Sequence, residues 1–186
     1  TAQTVNCYCS SGLQTSATAA NAIRCGEEDV VIAGGVESMS LVPMLVGAED
    51  ADPWLAEHRP EVYTTMGITA ENVARQWGIS RADMDAMAVE SHRRAAQAQA
   101  GGCFDGQIIP ITVPGPDGGE VVVCRDEGIR PGTTAETLAG LKPCFLENGS
   151  VTAATSSQMT DGAGFVVLMS EEKAAELGVK PLARFV

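Results

Sequence analysis

Between Ser10 and Gly35 the sequence changes period within a few residues, and that change is the strongest constraint on the fold. Leu13, Ala17, Ala20 and Ile23 recur at spacings of three and four, a narrow apolar stripe of helical period. Gly26 ends it, and DVVIAGG (29–35) follows as a short apolar run of buried-strand type closed by glycines. Upstream, TAQTVN (1–6) carries the β-friendly Thr and Val of a further strand. Strand, helix and strand in that order form a β-α-β unit, with a right-handed crossover and a parallel sheet. The expected class is α/β.

The pattern breaks after Ser40. Residues 41–65 hold three prolines and no sustained period, which marks an excursion from the sheet. Helices are expected over 66–77 and 80–100, the second opened by Ser80 and Asp83 in capping-box spacing and stopped at Gly101-Gly102. Residues 107–127 predict two strands joined by a turn rich in Pro, Gly and Asp. Strand character returns with GFVVLMS (164–170). Ser170 can cap the helix that follows, Gly178 ends it, and PLARFV (181–186) begins another strand.

The length of 186 residues allows one good-sized domain, or a domain with a large insertion. Twelve basic residues against twenty-four acidic ones leave a net charge of -12, a field that repels nucleic acid and anionic membranes. His92-Arg93-Arg94 is too short a basic run to reverse that. No apolar run reaches the roughly eighteen residues of a transmembrane helix, and TAQTVNCYC has neither the basic nor the apolar region of a signal peptide. The expected location is the cytoplasm, or an organelle matrix if a targeting segment has been lost. Six cysteines are too sparse for a disulfide scaffold, and Cys7-x-Cys9 lacks the second pair or nearby histidine of a zinc site. No metal is expected, and the thiols should be free.

A cysteine where a strand gives way to a helix has two physical advantages. Helix N-terminal amides favour the thiolate, and the same amides can stabilise an oxyanion on a substrate carbonyl. Cys9 has that place on this reading, whereas Cys7 lies two residues back on the same strand face. Gly12 permits close approach of a ligand or a neighbouring backbone. The competing reading makes either cysteine a small apolar residue.

NCYCSSGLQ from Asn6, GGVESMS (34–40), MGITAENVA (66–74) and VTAATSSQMTDGAG (151–164) together resemble the thiolases. Those enzymes interconvert a 3-oxoacyl-CoA plus CoA with a shortened acyl-CoA and acetyl-CoA. In the family pattern Asn-x-x-Cys-x-Ser-Gly the acyl-accepting cysteine falls on Cys9, with Asn6 and Ser11-Gly12 matching around it. The resemblance implies a partial α-β-α-β-α layered fold. Residues 1–40 and 150–186 would belong to the N-terminal half, and 41–149 to an inserted loop domain that binds CoA, or that serves only as a solvated lid.

Positions similar to CoA contacts are Met66, Arg130, Thr137, Phe145, Ala153, Ser157 and Met159. A guanidinium suits the adenosine and phosphate end, Phe and Met suit the pantetheine arm, and Ser157 can bond one of the arm's amides. The plainer alternatives are a surface ion pair of Arg130 with Asp126 or Glu127, and core packing for Phe145 and Met159. GGVESMS reads as structure, with Glu37 and Ser38 satisfying backbone groups. His58 and His92 fit no thiolase motif, and His92 reads as solvated. Thr65 departs from relatives with histidine before Met-Gly, which leaves the acyl chain length open.

The resemblance implies acyl-CoA and CoA as substrates, no permanently bound cofactor, and a homodimer or homotetramer of the whole enzyme. Thiolases also use a Gly-His-Pro histidine, a Cys-Gly-Gly-type cysteine and an Asn-Glu-Ala-Phe asparagine, and none of these occurs here. The expectation is an internal piece of a degradative-type thiolase, inactive by itself. The alternatives are a 3-oxoacyl synthase of the same fold, and a truncated non-catalytic CoA-binding or dimerising homologue.

Overall fold

The computed structural model describes residues 2–42 and 50–186. The chain divides into two compact units, one formed by Thr1–Val46 with Met159–Val186 and the other by Gly47–Gln158. The second unit thus runs to Gln158, beyond the return at 150 expected from sequence.

In the first unit, helix α1 (Ser11–Arg24) packs against strand β1 (Val30–Glu37). β1 pairs with β4 (Gly162–Met169) in an antiparallel ladder, Val31 opposite Leu168 and Gly34 opposite Phe165. This corrects the expected parallel sheet. The period of a strand records which residues are apolar, but direction is set by a partner far along the chain. Neither 1–6 nor 181–186 forms the expected strand among the described residues. The side chains of Ser11 and Asn6 take the amides of Cys7 and Tyr8. The C-terminal tail is held by Arg24, whose guanidinium lies 5.6 Å over the Phe185 ring and donates to the Phe185 carbonyl.

The buried residues of α1 are Ala19 and Ala20, and Ala33 is buried on β1. Leu13, expected in the apolar stripe, is 76% exposed. Thr15 shows why: its hydroxyl reaches the Gly34 carbonyl at 3.2 Å, so α1 turns that edge toward β1 and leaves Leu13 outside. Ile32 and Val167 are opposed in the register and both exposed, so β1 is not the fully buried strand its composition suggests. Beyond β4, Ser170 caps helix α6 (Glu171–Glu176) by accepting from the Lys173 N–H at 3.1 Å.

In the second unit, α2 (Pro53–His58) precedes α3 (Met66–Trp77) and α4 (Arg81–Ala100). Ser80 and Asp83 form the expected capping box at the head of α4. Strands β2 (Ile111–Pro114) and β3 (Glu120–Val123) form the expected hairpin, and a short helix α5 (Ala135–Ala139) follows. Arg93 and Arg94 both donate to Glu90 at 2.6 Å, and these bonds hold the Glu90 carboxyl down to about 2. The one basic run noted in the sequence is therefore partly offset by Glu90. Among the described residues no helix is long and apolar enough to cross a membrane.

Candidate active site

Cys9 lies in a single 3-10 turn, Tyr8–Ser10, that runs directly into α1. The turn is built by its own side chains. Asn6 Oδ1 accepts from the Tyr8 N–H and Ser11 Oγ accepts from the Cys7 N–H, each at 2.9 Å. The hydroxyls of Ser10 and Ser11 donate to the carbonyls of Cys7 and Tyr8, each at 2.7 Å. These bonds fix Tyr8 at φ +49, the only positive φ among described non-glycine residues. A left-handed tyrosine costs roughly 1–2 kcal/mol, and such strain persists where surrounding bonds over-determine it.

The consequence is an exposed Cys9 in the turn at the head of α1, where the N–H groups of Ser10 and Ser11 donate to the carbonyls of Cys7 and Tyr8. Its place differs from the expected one, because no strand precedes it. Cys7 sits just before the turn at φ -128 and ψ 35, not on a strand face shared with Cys9. All six cysteines are exposed and unbridged. Exposure therefore does not single out Cys9; its position in the turn does. In the same unit Glu37 accepts from the Ser38 N–H at 3.2 Å, the backbone role expected of it. Asp161 binds both the N–H and the hydroxyl of Ser40, and those bonds hold its carboxyl below the usual range.

Of the positions resembling CoA contacts, Met159 falls in the first unit and the others in the second. Met66 opens α3 and is 76% exposed. The Phe145 ring lies against Gly67, in the space a Cβ would fill, so it packs beside Met66 on the first turn of α3. Ser157 is exposed, and its neighbour Gln158 lays its carboxamide on the backbone of Gly128. That contact brings the chain carrying Ser157 to the chain carrying Arg130. Arg130 is exposed and makes no ion pair with Asp126 or Glu127.

Thr137 has a local duty. Its hydroxyl donates to the Thr134 carbonyl at 2.8 Å and accepts from the Thr134 N–H at 3.0 Å, closing the capping box of α5. A ligand would find one free lone pair there and no free proton. Ala153 opens a 3-10 turn, Ala153–Thr155, and is exposed. Met159 is 79% exposed, so core packing is not its role in this structure.

Three residues to which the sequence reading gave no site role hold these segments. Glu71, 6% exposed on α3, accepts from the N–H groups of Ser150 and Val151 and from the Ser150 hydroxyl at 2.8–3.0 Å. Burial alone pushes this carboxyl up, but the Val151 and Ser150 bonds and the Arg75 charge outweigh it and hold it below its usual range. Arg81 pairs with Asp85 at 2.9 Å and donates to the carbonyls of Leu138 and Leu141. His92, read as solvated, is half-buried and accepts the Arg130 N–H on Nδ1 at 3.2 Å.

Only Arg81 and Asp85 left a sequence signal, an opposite-charge pair at i, i+4. A cleft of about 280 Å³ lies beside Glu71, Arg75, Leu146 and Ser150, and none of the expected CoA contacts lines it.

A cysteine held by Asn6 and Ser11 at the head of a helix, in a chain of mixed helix and strand, defines a candidate acyl-accepting site. Residues 1–172 match the family model described as thiolase, N-terminal domain, and the chain belongs to the thiolase family. It is 50% identical over 190 residues to a 3-ketoacyl-CoA thiolase of Bacillus subtilis, covering 98% of this chain and 49% of that protein. It is 42% identical to a probable acetyl-CoA acyltransferase of Staphylococcus aureus, again covering 97% of this chain and 49% of the relative. The crystal structure of the Bacillus anthracis acetyl-CoA acetyltransferase superposes with a TM-score of 0.79 at 43% identity, over 94% of this chain and 47% of that one. The fold is thus a partial thiolase fold, and the chain spans about half the length of the curated relatives it matches.

Proposed function

We propose that this chain carries the acyl-accepting half of a thiolase, with Cys9 as the nucleophile. The observation that supports it best is the Cys9 turn, because Asn6 and Ser11 of the Asn-x-x-Cys-x-Ser-Gly pattern are, with Ser10, the side chains that build it. The Cys9 thiolate attacks the 3-keto carbon of a 3-oxoacyl-CoA. The bond between that carbon and the α-carbon breaks, and the α-carbanion takes a proton and leaves as acetyl-CoA. A shortened acyl group remains as a thioester on Cys9. The thiolate of a second CoA attacks this thioester, forms acyl-CoA and returns Cys9 as thiolate; the reverse sequence is the condensation.

Amides of the first turn of α1 beyond Ser11 are proposed to bond the oxyanion formed in each attack, since those of Ser10 and Ser11 are taken by the Cys7 and Tyr8 carbonyls. Met66, Phe145, Arg130, Thr137, Ala153, Ser157 and Met159 are proposed to bind CoA, the first four of them on an inserted domain that leaves and rejoins the nucleophile unit. The working assembly is proposed to be a homodimer or homotetramer.

Arg130→Ala and Ser157→Ala in the full-length protein test the binding assignment. Each should raise the CoA concentration required while leaving acylation of Cys9 at saturating 3-oxoacyl-CoA nearly unchanged, the signature of lost uniform binding. Unaltered CoA affinity in Arg130→Ala would remove Arg130 from the site.

A further inference from the structure

Helix α4 carries polar side chains on one stripe that reach the same stretch of backbone. Arg81, His92 and Gln99 lie eleven and eighteen residues apart, which is about three and five full turns, so all three share one face. Asp85 and Ala88, both buried, lie on that face as well. Gln99 Nε2 donates to the Asp126 carbonyl at 3.2 Å, and Arg81 donates to the Leu138 and Leu141 carbonyls at 2.7 and 3.1 Å. The stripe therefore fastens the segment that leaves β3 and runs through α5, Gln99 just after β3 and Arg81 at the far end of α5. His92 fastens its middle, and it does so with the opposite polarity, accepting rather than donating.

We infer that His92 is a positioning residue for CoA binding, setting the backbone at Arg130 through its Nδ1 lone pair. The inference rests on the proposed role of Arg130. Nδ1 accepts only if the imidazole is neutral with its proton on Nε2. The acceptor fixes the Arg130 backbone, and a fixed backbone limits where the exposed guanidinium can point. Arg130 is also tied from below, since its carbonyl accepts from the Thr133 hydroxyl at 2.8 Å. With His92 above and Thr133 below, the residue is pinned on both its N–H and its C=O. A mobile Arg130 would lose orientation entropy on binding, and preorganisation removes that cost.

The test uses the full-length protein and CoA itself. His92→Leu keeps bulk but has no acceptor, whereas His92→Asn puts Oδ1 at the same bond distance from the backbone as Nδ1. Loss of one net hydrogen bond should weaken CoA binding by about three- to tenfold in His92→Leu. His92→Asn should bind within about twofold of the parent, and the single-turnover rate of Cys9 acylation at saturating 3-oxoacyl-CoA should not change in either. Hydrogen exchange over 126–133 should quicken in the leucine variant and not in the asparagine one. His92→Ala against His92→Asn gives the same comparison should the leucine variant not fold.

Equal weakening by Leu and Asn would make His92 a packing residue and overturn the inference. So would an unchanged affinity in His92→Leu beside a weakened Arg130→Ala. An Arg130→Ala variant that binds CoA normally would remove the underlying reading, and this inference with it.

Discussion

Glu71 offers a perturbation whose size can be worked from its contacts. Its carboxylate is the acceptor for the N–H of Val151, a residue only 2% exposed, and for the N–H and hydroxyl of the half-buried Ser150. Glu71→Ala leaves these donors without a partner. A buried orphan costs about 1–3 kcal/mol, and the Ser150 groups, which can reach water, belong at the low end. The expected loss is about 2–4 kcal/mol of stability in the second unit. Glu71→Gln keeps Oε1 for the two N–H groups and turns Nε2 toward the Ser150 hydroxyl, which can rotate to accept. Its expected cost is nearer 1 kcal/mol.

Urea unfolding followed by circular dichroism measures both variants. The carboxyl is held below its ordinary 4.5, so the unfolded chain takes up its proton at a higher pH than the folded one. Its contribution is therefore complete above about pH 4.5 and is lost as the pH falls through the lower folded value. The gap between parent and Glu71→Gln should close on acidification across that window. Equal costs for Ala and Gln, or a gap that widens toward acid, would refute the argument.

Further outcomes follow from the same contacts. Arg81→Met strands the buried Asp85 carboxylate and frees two carbonyls, so it should destabilise the second unit by about 3–5 kcal/mol, read by the same unfolding assay. Gly67→Ala places a methyl where the Phe145 ring lies, and should cost about 1–3 kcal/mol and displace that ring from the first turn of α3, visible as weaker CoA binding. These 186 residues, given 3-oxoacyl-CoA and CoA, should show no sustained release of acetyl-CoA, since they hold neither the histidine nor the second cysteine motif of the family. Multiple turnovers that vanish in Cys9→Ala would contradict that.

The parts legible in the sequence were those written locally. Ser80 and Asp83 announce the head of α4 because a capping box needs only four consecutive residues. The Asn6, Cys9 and Ser11 pattern is equally local, and Asn6 and Ser11 do bond the turn that carries Cys9. The direction of the β1–β4 pair was not legible, because it depends on residues brought together from opposite ends of the chain. Leu13 was misplaced because periodicity gives a stripe, while Thr15 and its bond to Gly34 decide which way the helix turns. His92 looked idle because its partner is a backbone N–H, and a backbone group leaves no residue type to recognise.

The central claim is that Cys9 accepts the acyl group. The direct measurement is to mix the full-length protein with a 3-oxoacyl-CoA in the absence of free CoA, quench with acid, and map the adduct by mass spectrometry. The account expects a shortened acyl group on Cys9 in the peptide ending at Arg24, one equivalent of acetyl-CoA released, and neither product from Cys9→Ala. An acyl group on Cys7 or Cys25, or release of acetyl-CoA that survives the loss of Cys9, would contradict it.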